Sequence, residues 1–442
     1  MMLFSRGYKR YVLATLTLVY TLNSLDVPLV NLLVEPIKSE LHLSDVQIGF
    51  LTGMAFALFY ATLGLPVARW VDRGNRVTIA SIAVALWGVT VMGCVLVTTF
   101  LQLVLARIVA GIGGAGCMPP TYSLLGDYYP QPGERTRAMA IYMLSSPLAP
   151  LVSFILGGWL NDHYGWRAAF FTIGVPGLAF ALLLKLSIKE PRSAALTAQL
   201  TARPAPRTLE VLSRLWCQRA ARHLTCGTVL FFTIGLGLAP WLAAFMMRSH
   251  GMATVELGLW LGLIWGLGGM AGVLLGGYIG ERCFTGNERG QMRLVALVIA
   301  ALLPCYALVL FLPDKRESLL AMIPLVMVGN FIFGPIFALM QRLVVDEMRA
   351  TTVAVVMLLA NLIGMGLGPQ SVGLMSDLLM PVLGTDSLRY AMLILSCLAL
   401  WAAWHFWKVS QTVMADLEDT ARCATASAKR HQRMTDIALS EQ

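Results

Sequence analysis

Charged residues are scarce in this chain of 442 residues, at 13% of positions against about 25% in a typical soluble domain. A water-soluble fold of this length needs more charge to cover its surface, so the composition excludes a soluble enzyme and a disordered chain. Hydrophobic residues make up 57% of the sequence, and its mean hydropathy is +0.71. We therefore expect an integral membrane protein with many spanning segments, each of about 20 apolar residues.

Motifs for cofactors and metals are also missing. The sequence has no P-loop, no HExxH and no dinucleotide glycine loop, so we expect no cofactor, no metal site and no ATP-driven pump within this chain. Its eight cysteines form no CxxC and do not cluster with histidine, which indicates free thiols rather than a disulfide scaffold. The net charge of +9 fits basic cytoplasmic loops better than nucleic-acid binding.

Apolar runs divide the chain into twelve candidate membrane spans, six on each side of a long polar gap at 188–222. We therefore expect an all-α membrane protein whose twelve transmembrane helices form two six-helix bundles related by pseudo-two-fold symmetry. The runs lie at 11–34, 45–68, 77–98, 100–126, 138–160, 166–187, 224–247, 255–280, 292–312, 318–341, 351–375 and 388–409. The predicted domains are a first bundle at 1–187, a central loop at 188–222, a second bundle at 223–409 and a tail at 410–442.

Basic residues predict the orientation of these spans. If the N-terminus is inside, the inside segments hold 26 Lys and Arg and the outside loops hold 6. Such a bias places both termini in the cytoplasm, and we expect the bacterial inner membrane as the location. In the central loop, 208–222 carries an apolar stripe with arginines off it, which favours a helix lying on the membrane face. An ordinary solvated linker helix is the alternative.

The two halves repeat several polar features at similar offsets, which indicates a duplicated six-helix unit. Parallel repeats of this kind are typical of transporters whose substrate site lies between the halves near the midplane of the membrane. The matched features are Asp162 with Asp377, the pair Asp72-Arg73 with Glu281-Arg282, and Asp127 with Asp346, at offsets of 215, 209 and 219 residues.

The polar residues after span 2 predict a cytoplasmic latch. A carboxylate at a span end can cap a facing helix, and arginines can pair with acids of neighbouring spans. Asp72, Arg73, Gly74 and Arg76 resemble the loop signature Gly-x-x-x-Asp-Arg-x-Gly-Arg of the Major Facilitator Superfamily, with Ala68 in place of the first glycine. The alternative is that these residues only set topology. The predicted latch comprises Asp72, Arg73, Arg76, Asp127, Glu281, Arg282 and Asp346.

Two charged residues stand inside predicted spans, where a charge is costly unless it faces a cavity or a partner. Asp26 lies near the middle of span 1, one turn after Asn23, and is our candidate for carrying a proton. Arg107 lies near the start of span 4 and could meet a substrate charge or pair with an acid. The alternatives are a hydrogen-bonded structural acid and an arginine that extends to the interface.

Wider matches resemble the bacterial spinster-like branch of this superfamily, in which Asn23, Asp26 and Arg107 match family positions. The matching segments are VEPIK at 34–38, LSDVQIG at 43–49, AFALFY at 55–60, GLP at 64–66, GWRAAF at 165–170 and GVPG at 174–177. Val27 stands where the family has Arg, and Gly114 where it has Glu. Loss of both partners would keep the site neutral, so we hypothesise that Asp26 and Arg107 form the remaining ion pair.

The resemblance implies that spans 1, 4, 7 and 10 line the cavity and that spans 2, 5, 8 and 11 flank it. Softer candidates for substrate contact therefore sit within spans 2, 4, 5, 7, 10 and 11, each with simple packing as the alternative. These residues are Tyr60, Tyr122, Tyr142, Trp241, Asn330, Phe333 and Asn361.

Together these features predict a secondary active transporter that works by alternating access and is not an enzyme. The resemblance implies an amphipathic, organic-anion or lysolipid-like substrate, with membrane lipids and protons as further partners and no nucleic acid, and we expect a monomer. One alternative is a proton-coupled transporter of a hydrophilic organic anion. Alternatives of another class are an integral-membrane lipid enzyme, for which no nucleophile–base set is visible, and a sensor that has lost transport.

Overall fold

A computed structural model of the chain describes residues 4–191, 208–284, 286–345 and 348–440. We number the membrane spans 1 to 12 in chain order. In the first half, four of the six spans consist of two helices in series. The helices are Arg6–Asn23 and Asp26–Leu41 (span 1), Asp45–Thr52 and Met54–Arg73 (span 2), Arg76–Gly93 (span 3), Phe100–Ala115 and Met118–Tyr128 (span 4), Pro132–Met143 and Ser145–Tyr164 (span 5), and Trp166–Ser187 (span 6).

The second half begins directly after a short helix, Thr208–Cys217, in the central loop. Spans 8 and 11 each contain one wide π-helical turn. The helices are Arg219–His250 (span 7), Thr254–Leu263 and Gly269–Phe284 around the turn Ile264–Gly268 (span 8), Glu288–Ala300 and Leu302–Phe311 (span 9), Lys315–Phe331 and Phe333–Arg342 (span 10), Arg349–Leu359 and Gly366–Leu383 around the turn Ala360–Met365 (span 11), and Ser387–Ser396 and Leu398–Ser440 (span 12).

Eleven stretches of the described residues are long and apolar enough to cross a membrane. The last of them, Thr351–Thr420, has 70 residues, which corresponds to about 105 Å of helix and exceeds a membrane core of about 30 Å. The chain turns back within it at Gly384, whose φ of 54° lies in the left-handed region that glycine favours. This stretch therefore supplies spans 11 and 12, and the predicted fold class of twelve helices in two bundles is confirmed.

The break in span 1 has a local cause. Pro28 has no amide hydrogen, so the carbonyl four residues earlier, at Ser24, has no helical donor. The first helix ends at Asn23, and a second begins at Asp26. The interruption places Asp26 in the first turn of a helix near the middle of the span.

The helix of the central loop packs on the start of span 7 and on the first helix of span 11. Val211 and Leu215 are buried there, whereas the side chain of Trp216 is 61% exposed. Its position at the membrane face stays a prediction.

The two halves meet most closely at the end that carries the loops after odd-numbered spans, which we call the outer end, following the predicted orientation. Spans 5 and 8 cross there, and spans 2 and 11 cross beside them. A Cβ atom at Gly258 would lie 2.3 Å from the backbone oxygen of Phe154, and one at Gly373 would lie 2.2 Å from that of Asp45. Glycines thus allow backbone contact between the halves, as small residues do in membrane helices generally.

Candidate functional site

A cavity of about 540 Å³ lies between the two halves. Both halves contribute to its wall, and six of the ten residues predicted to contact substrate or protons line it. These are Asn23, Asp26, Tyr60, Asn330, Phe333 and Asn361. The other four, Arg107, Tyr122, Tyr142 and Trp241, are not among the lining residues that the structure describes.

Asp26 and Arg107 form a buried ion pair between spans 1 and 4. Arg107 Nη1 donates to Asp26 Oδ2 at 2.6 Å, and the two residues are 3% and 1% exposed. The guanidinium lies over the ring of Phe56, 4.8 Å from its centroid. Span 4 approaches span 2 through Gly111, where a Cβ atom would lie 2.8 Å from the Phe56 oxygen. The contact agrees with the pair that the sequence predicts, while its role in transport stays a prediction.

One carboxylate oxygen of this pair has no hydrogen-bond partner among the described residues. Within the described residues, Asp26 Oδ1 and Arg107 Nε have no hydrogen-bond partner. Asp26 lines the cavity, whereas Arg107 lies behind it and Phe56. Of the two residues, Asp26 is therefore the one that belongs to the cavity wall, and its carboxylate is itself buried.

The predicted residues outside the cavity wall make packing contacts. Tyr142 is fully buried and stacks on Tyr20, with 4.9 Å between ring centroids. The hydroxyl of Tyr122 lies 3.4 Å from the sulfur of Met143. Trp241, also fully buried, donates from Nε1 to the backbone oxygen of Pro369 at 3.1 Å, which joins spans 7 and 11.

Two of the predicted latch residues of the first half, Arg76 and Asp127, belong to a cluster within that half. Arg76 is fully buried and pairs with Asp127 at 2.7 Å and with Glu190, and its Nη1 donates to Ser123 Oγ at 3.0 Å. This cluster ties the start of span 3 to the ends of spans 4 and 6. Asp72 and Arg73 close the second helix of span 2, but their side chains lie outside the described part of the structure.

The second half carries an ion pair at the corresponding span ends, with the acid on span 9 and the arginine on span 10, four residues before Asp346. Arg342, at the end of span 10, pairs with Glu288, at the start of span 9, at 2.6 Å. Glu281 and Arg282 end span 8 with exposed side chains, and Arg282 Nη1 donates to the hydroxyl of Tyr278 at 2.5 Å. Asp346 lies outside the described residues.

The structure shows a further charged cluster, at the outer end, that the sequence reasoning missed. Arg248 of span 7 donates from Nη1 and Nη2 to the two carboxylate oxygens of Asp45 at 2.8 and 2.7 Å, and from Nε to Glu35 at 2.8 Å. Lys38 and Ser376 also donate to Asp45, at 2.5 and 2.6 Å. Asp45 is 1% exposed and so binds both halves in a dry setting, which strengthens each contact.

Two aspartates strengthen this outer cluster by capping helices of the opposite half. Asp377, at the end of span 11, accepts from the backbone amides of Asp45 and Val46 at 3.1 and 2.8 Å. Asp162, at the end of span 5, accepts from the amide of Val255 at 3.2 Å. Free amides and the helix dipole favour a carboxylate at these positions. The repeat of Asp162 and Asp377 in the sequence was the signal that could have revealed this contact.

Comparison with known proteins supports the family resemblance. A family model described as the Major Facilitator Superfamily matches residues 16–369. An "MFS-type efflux pump" of Mycolicibacterium smegmatis is 32% identical over 92% of this chain and 94% of its own length. Protein spinster homolog 1 of Mus musculus is 26% identical over 84% of this chain and 74% of its own length.

Comparison with solved structures also supports the family resemblance. A bacterial homolog of the human lysosomal transporter Spinster, crystallised in an inward-facing and occupied conformation, is 28% identical, with a TM-score of 0.81 over 93% of this chain and 99% of that chain. The inward-facing, unoccupied form is 27% identical, with the same score and coverage. The predicted resemblance to the spinster-like branch is therefore confirmed.

Proposed function

The chain belongs to the Major Facilitator Superfamily as a spinster-like secondary transporter, and we propose that it carries a small amphipathic organic molecule by alternating access. The observation that carries this proposal is the cavity between the halves, whose wall combines the buried acid Asp26 with apolar side chains such as Phe232 and Phe333. A wall of this kind accepts a molecule with one polar and one apolar end. A lysolipid-like substrate fits this description.

The proposed transport mechanism follows from the contacts that close the outer end of the molecule. In the structure, ion pairs and helix caps around Asp45 hold the outer end closed. Opening that end requires the bonds of Arg248 and Asp377 to the first half to break, and substrate binding in the cavity would offset part of this cost. We propose that the described state faces the cytoplasm, with both termini on that side of a bacterial inner membrane.

Proton coupling through Asp26 is the finer part of the proposal. A carboxylate that lines the cavity and touches Arg107 can change its protonation together with substrate binding. A proton on Asp26 would weaken the pair with Arg107 and so link the acid to the packing of spans 1 and 4.

Flux in proteoliposomes tests both parts. We expect uptake or release of a labelled lysolipid that depends on the protein and increases when a pH gradient is imposed. In Asp26→Asn combined with Arg107→Gln, which removes both charges of the buried pair together, we expect the response to the gradient to disappear. Asp416→Asn, which alters an acid bonded to the Ala220 amide far from the cavity, is the matched control and should respond as the native protein does. If the pH gradient changes flux neither in the native protein nor in the double variant, the coupling role is rejected.

A further inference from the structure

The wall of the cavity is chemically divided between the two halves. The first half presents most of the polar side chains of the wall, including Tyr20, Asn23, Asp26, Asn31 and Tyr60. The second half presents mostly apolar ones, namely Phe231, Phe232, Leu236, Trp265, Val326 and Phe333. The division fixes which end of an amphipathic molecule faces which half.

Formal charge in this wall has one sign. Among the lining residues that the structure describes, Asp26 is the single ionisable side chain of the Lys, Arg, His, Asp and Glu types. Arg107 is close, but it is bonded to Asp26 and covered by Phe56. An anionic headgroup would lose its hydration here without meeting a cation, which is strongly unfavourable.

The second half also contributes hydrogen-bond acceptors to the wall. The amide nitrogens of Asn330 and Asn361 donate to backbone oxygens of their own helices, Val326 and Met357, at 2.8 Å each. Each side chain therefore keeps its oxygen for a ligand. Among the described residues, the buried oxygen Asp26 Oδ1 is also without a hydrogen-bond partner. The Asn23 amide adds an unused donor, which suits a neutral oxygen next to the headgroup.

Aromatic rings lie beside the acid. Phe56 and Tyr60 line the cavity and stack with 5.4 Å between ring centroids. The faces of such rings attract ammonium groups, most strongly where water is excluded. A carboxylate with adjacent aromatic rings is thus a suitable site for a quaternary or protonated amine.

From these observations we infer that the cavity selects amphiphiles with a cationic headgroup, which lies against Asp26 while the apolar tail lies among the aromatic and aliphatic side chains of the second half. The inference rests on the proposed function, because it names the substrate class of the same cavity. It favours a cationic or zwitterionic amphiphile, whose ammonium meets Asp26, over the organic anion considered from the sequence.

Two probes with the same tail and opposite headgroups test the inference. Octyltrimethylammonium and octanesulfonate would be titrated against the full-length protein in lipid nanodiscs, with quenching of tryptophan fluorescence as the readout and empty nanodiscs as the blank. Trp87 and Trp265 line the cavity and report occupancy. We expect the ammonium probe to bind at least ten times more tightly. Equal binding, or tighter binding of the sulfonate, would overturn the inference.

Variants separate the headgroup site from the tail site. Asp26→Asn combined with Arg107→Gln removes both charges together, because either single change would leave a buried charge without its partner. We expect the preference for ammonium to fall to less than threefold in this variant. Phe232→Ala is the matched control, and it should weaken both probes alike and keep the preference. A preference that survives in the double variant would overturn the inference.

The outcome is distinguishable from a failure of the proposed function. Binding without preference, together with normal lysolipid flux, rejects the cationic headgroup and leaves the transporter proposal intact. Selective binding of the ammonium probe without any lysolipid flux supports the cationic headgroup and rejects the transporter proposal. If the double variant does not fold, the comparison of the two probes on the native protein decides the question.

Discussion

Asp26 and Arg107 are held in a part of the molecule where a lone charge would be costly. Each neutralises the other at 2.6 Å, and neither is more than 3% exposed. Val27 and Gly114, the two positions at which the chain departs from the pattern that the resemblance implies, both line the same cavity. A Cβ atom at Gly114 would have its nearest neighbour at 3.6 Å, so that position has room for a side chain. The two departures from the family are thus located in one place, which supports the hypothesis that they are linked.

Breaking this pair should cost more than removing it. Asp26→Asn or Arg107→Gln leaves one buried charge without its partner, and we expect each to lower the free energy of unfolding by about 3–5 kcal/mol. The double variant should recover most of this loss. Thermal unfolding of the four proteins in detergent gives the double-mutant cycle. Additive losses from the two changes would show that the pair does not act as a unit.

A second residue-scale prediction concerns Arg248, which bonds to Glu35 and Asp45 of the opposite half. Arg248→Gln removes these ion pairs, so we expect the outer end to open more often. Double electron–electron resonance between spin labels at Thr98 and Pro313 measures this opening. We expect the distance distribution to gain a population at longer distances.

Arg389→Gln is the matched control for Arg248→Gln. This arginine also lies at the outer end, but it pairs with Asp386 within its own half at 2.9 Å. Its loss should leave the distance distribution unchanged. An equal shift in both variants would show that general loss of charge, rather than the contact between the halves, opens the outer end.

At the scale of elements, the outer closure depends on how closely the helices cross. Spans 5 and 8 meet at Gly158 and Gly258, and spans 2 and 11 meet at Gly49 and Gly373. The repeat exchanges the two crossings, since span 8 corresponds to span 2 and span 11 to span 5. At each crossing, an aspartate of one half also caps a helix of the other half. The two crossings are therefore built in the same way.

Gly258→Ala tests the crossing of spans 5 and 8. The added Cβ atom would lie 2.3 Å from the Phe154 oxygen, and backbone there cannot move without separating the helices. We expect a shift toward the outward-open state and a slower flux. Gly277→Ala in the same span meets nothing within 4 Å and should behave as the native protein does. A normal flux and distance distribution in Gly258→Ala would contradict the proposed role of this crossing.

The sequence was sufficient to predict the spans and much of the cavity. Apolar segments favour the membrane, and charges inside it are costly, in every conformation of the protein. Asp26 was found in this way, whereas Tyr60 and Asn330 came from the resemblance, which implies which spans line or flank the cavity. The outer cluster was not found, because Arg248 and Asp45 lie 203 residues apart and each resembles an ordinary loop charge. Which end is closed is a property of the conformation, and one sequence serves both states.

At the scale of the whole molecule, alternating access requires the two halves to separate at the outer end in each cycle. Asn161 and Thr254 face each other across this contact, with a hydrogen bond of 3.1 Å between their side chains. Cysteines at both positions should form a disulfide under oxidation and stop flux, and a reductant should restore it. The single variant Asn161→Cys, treated with the same oxidant, should keep its flux. Continued flux through the oxidised double variant would contradict a rocking mechanism.

The exchanged charges of the Arg76–Asp127 and Glu288–Arg342 pairs bear on the ancestry of the chain. Two identical copies of an ancestral half would have carried the same residue at both sites. Each pair is neutralised within its own half, so the charges of one cluster do not complement those of the other. A tandem fusion of two first halves would hold two arginine-centred clusters and no Glu288–Arg342 pair, and the two halves are therefore not interchangeable.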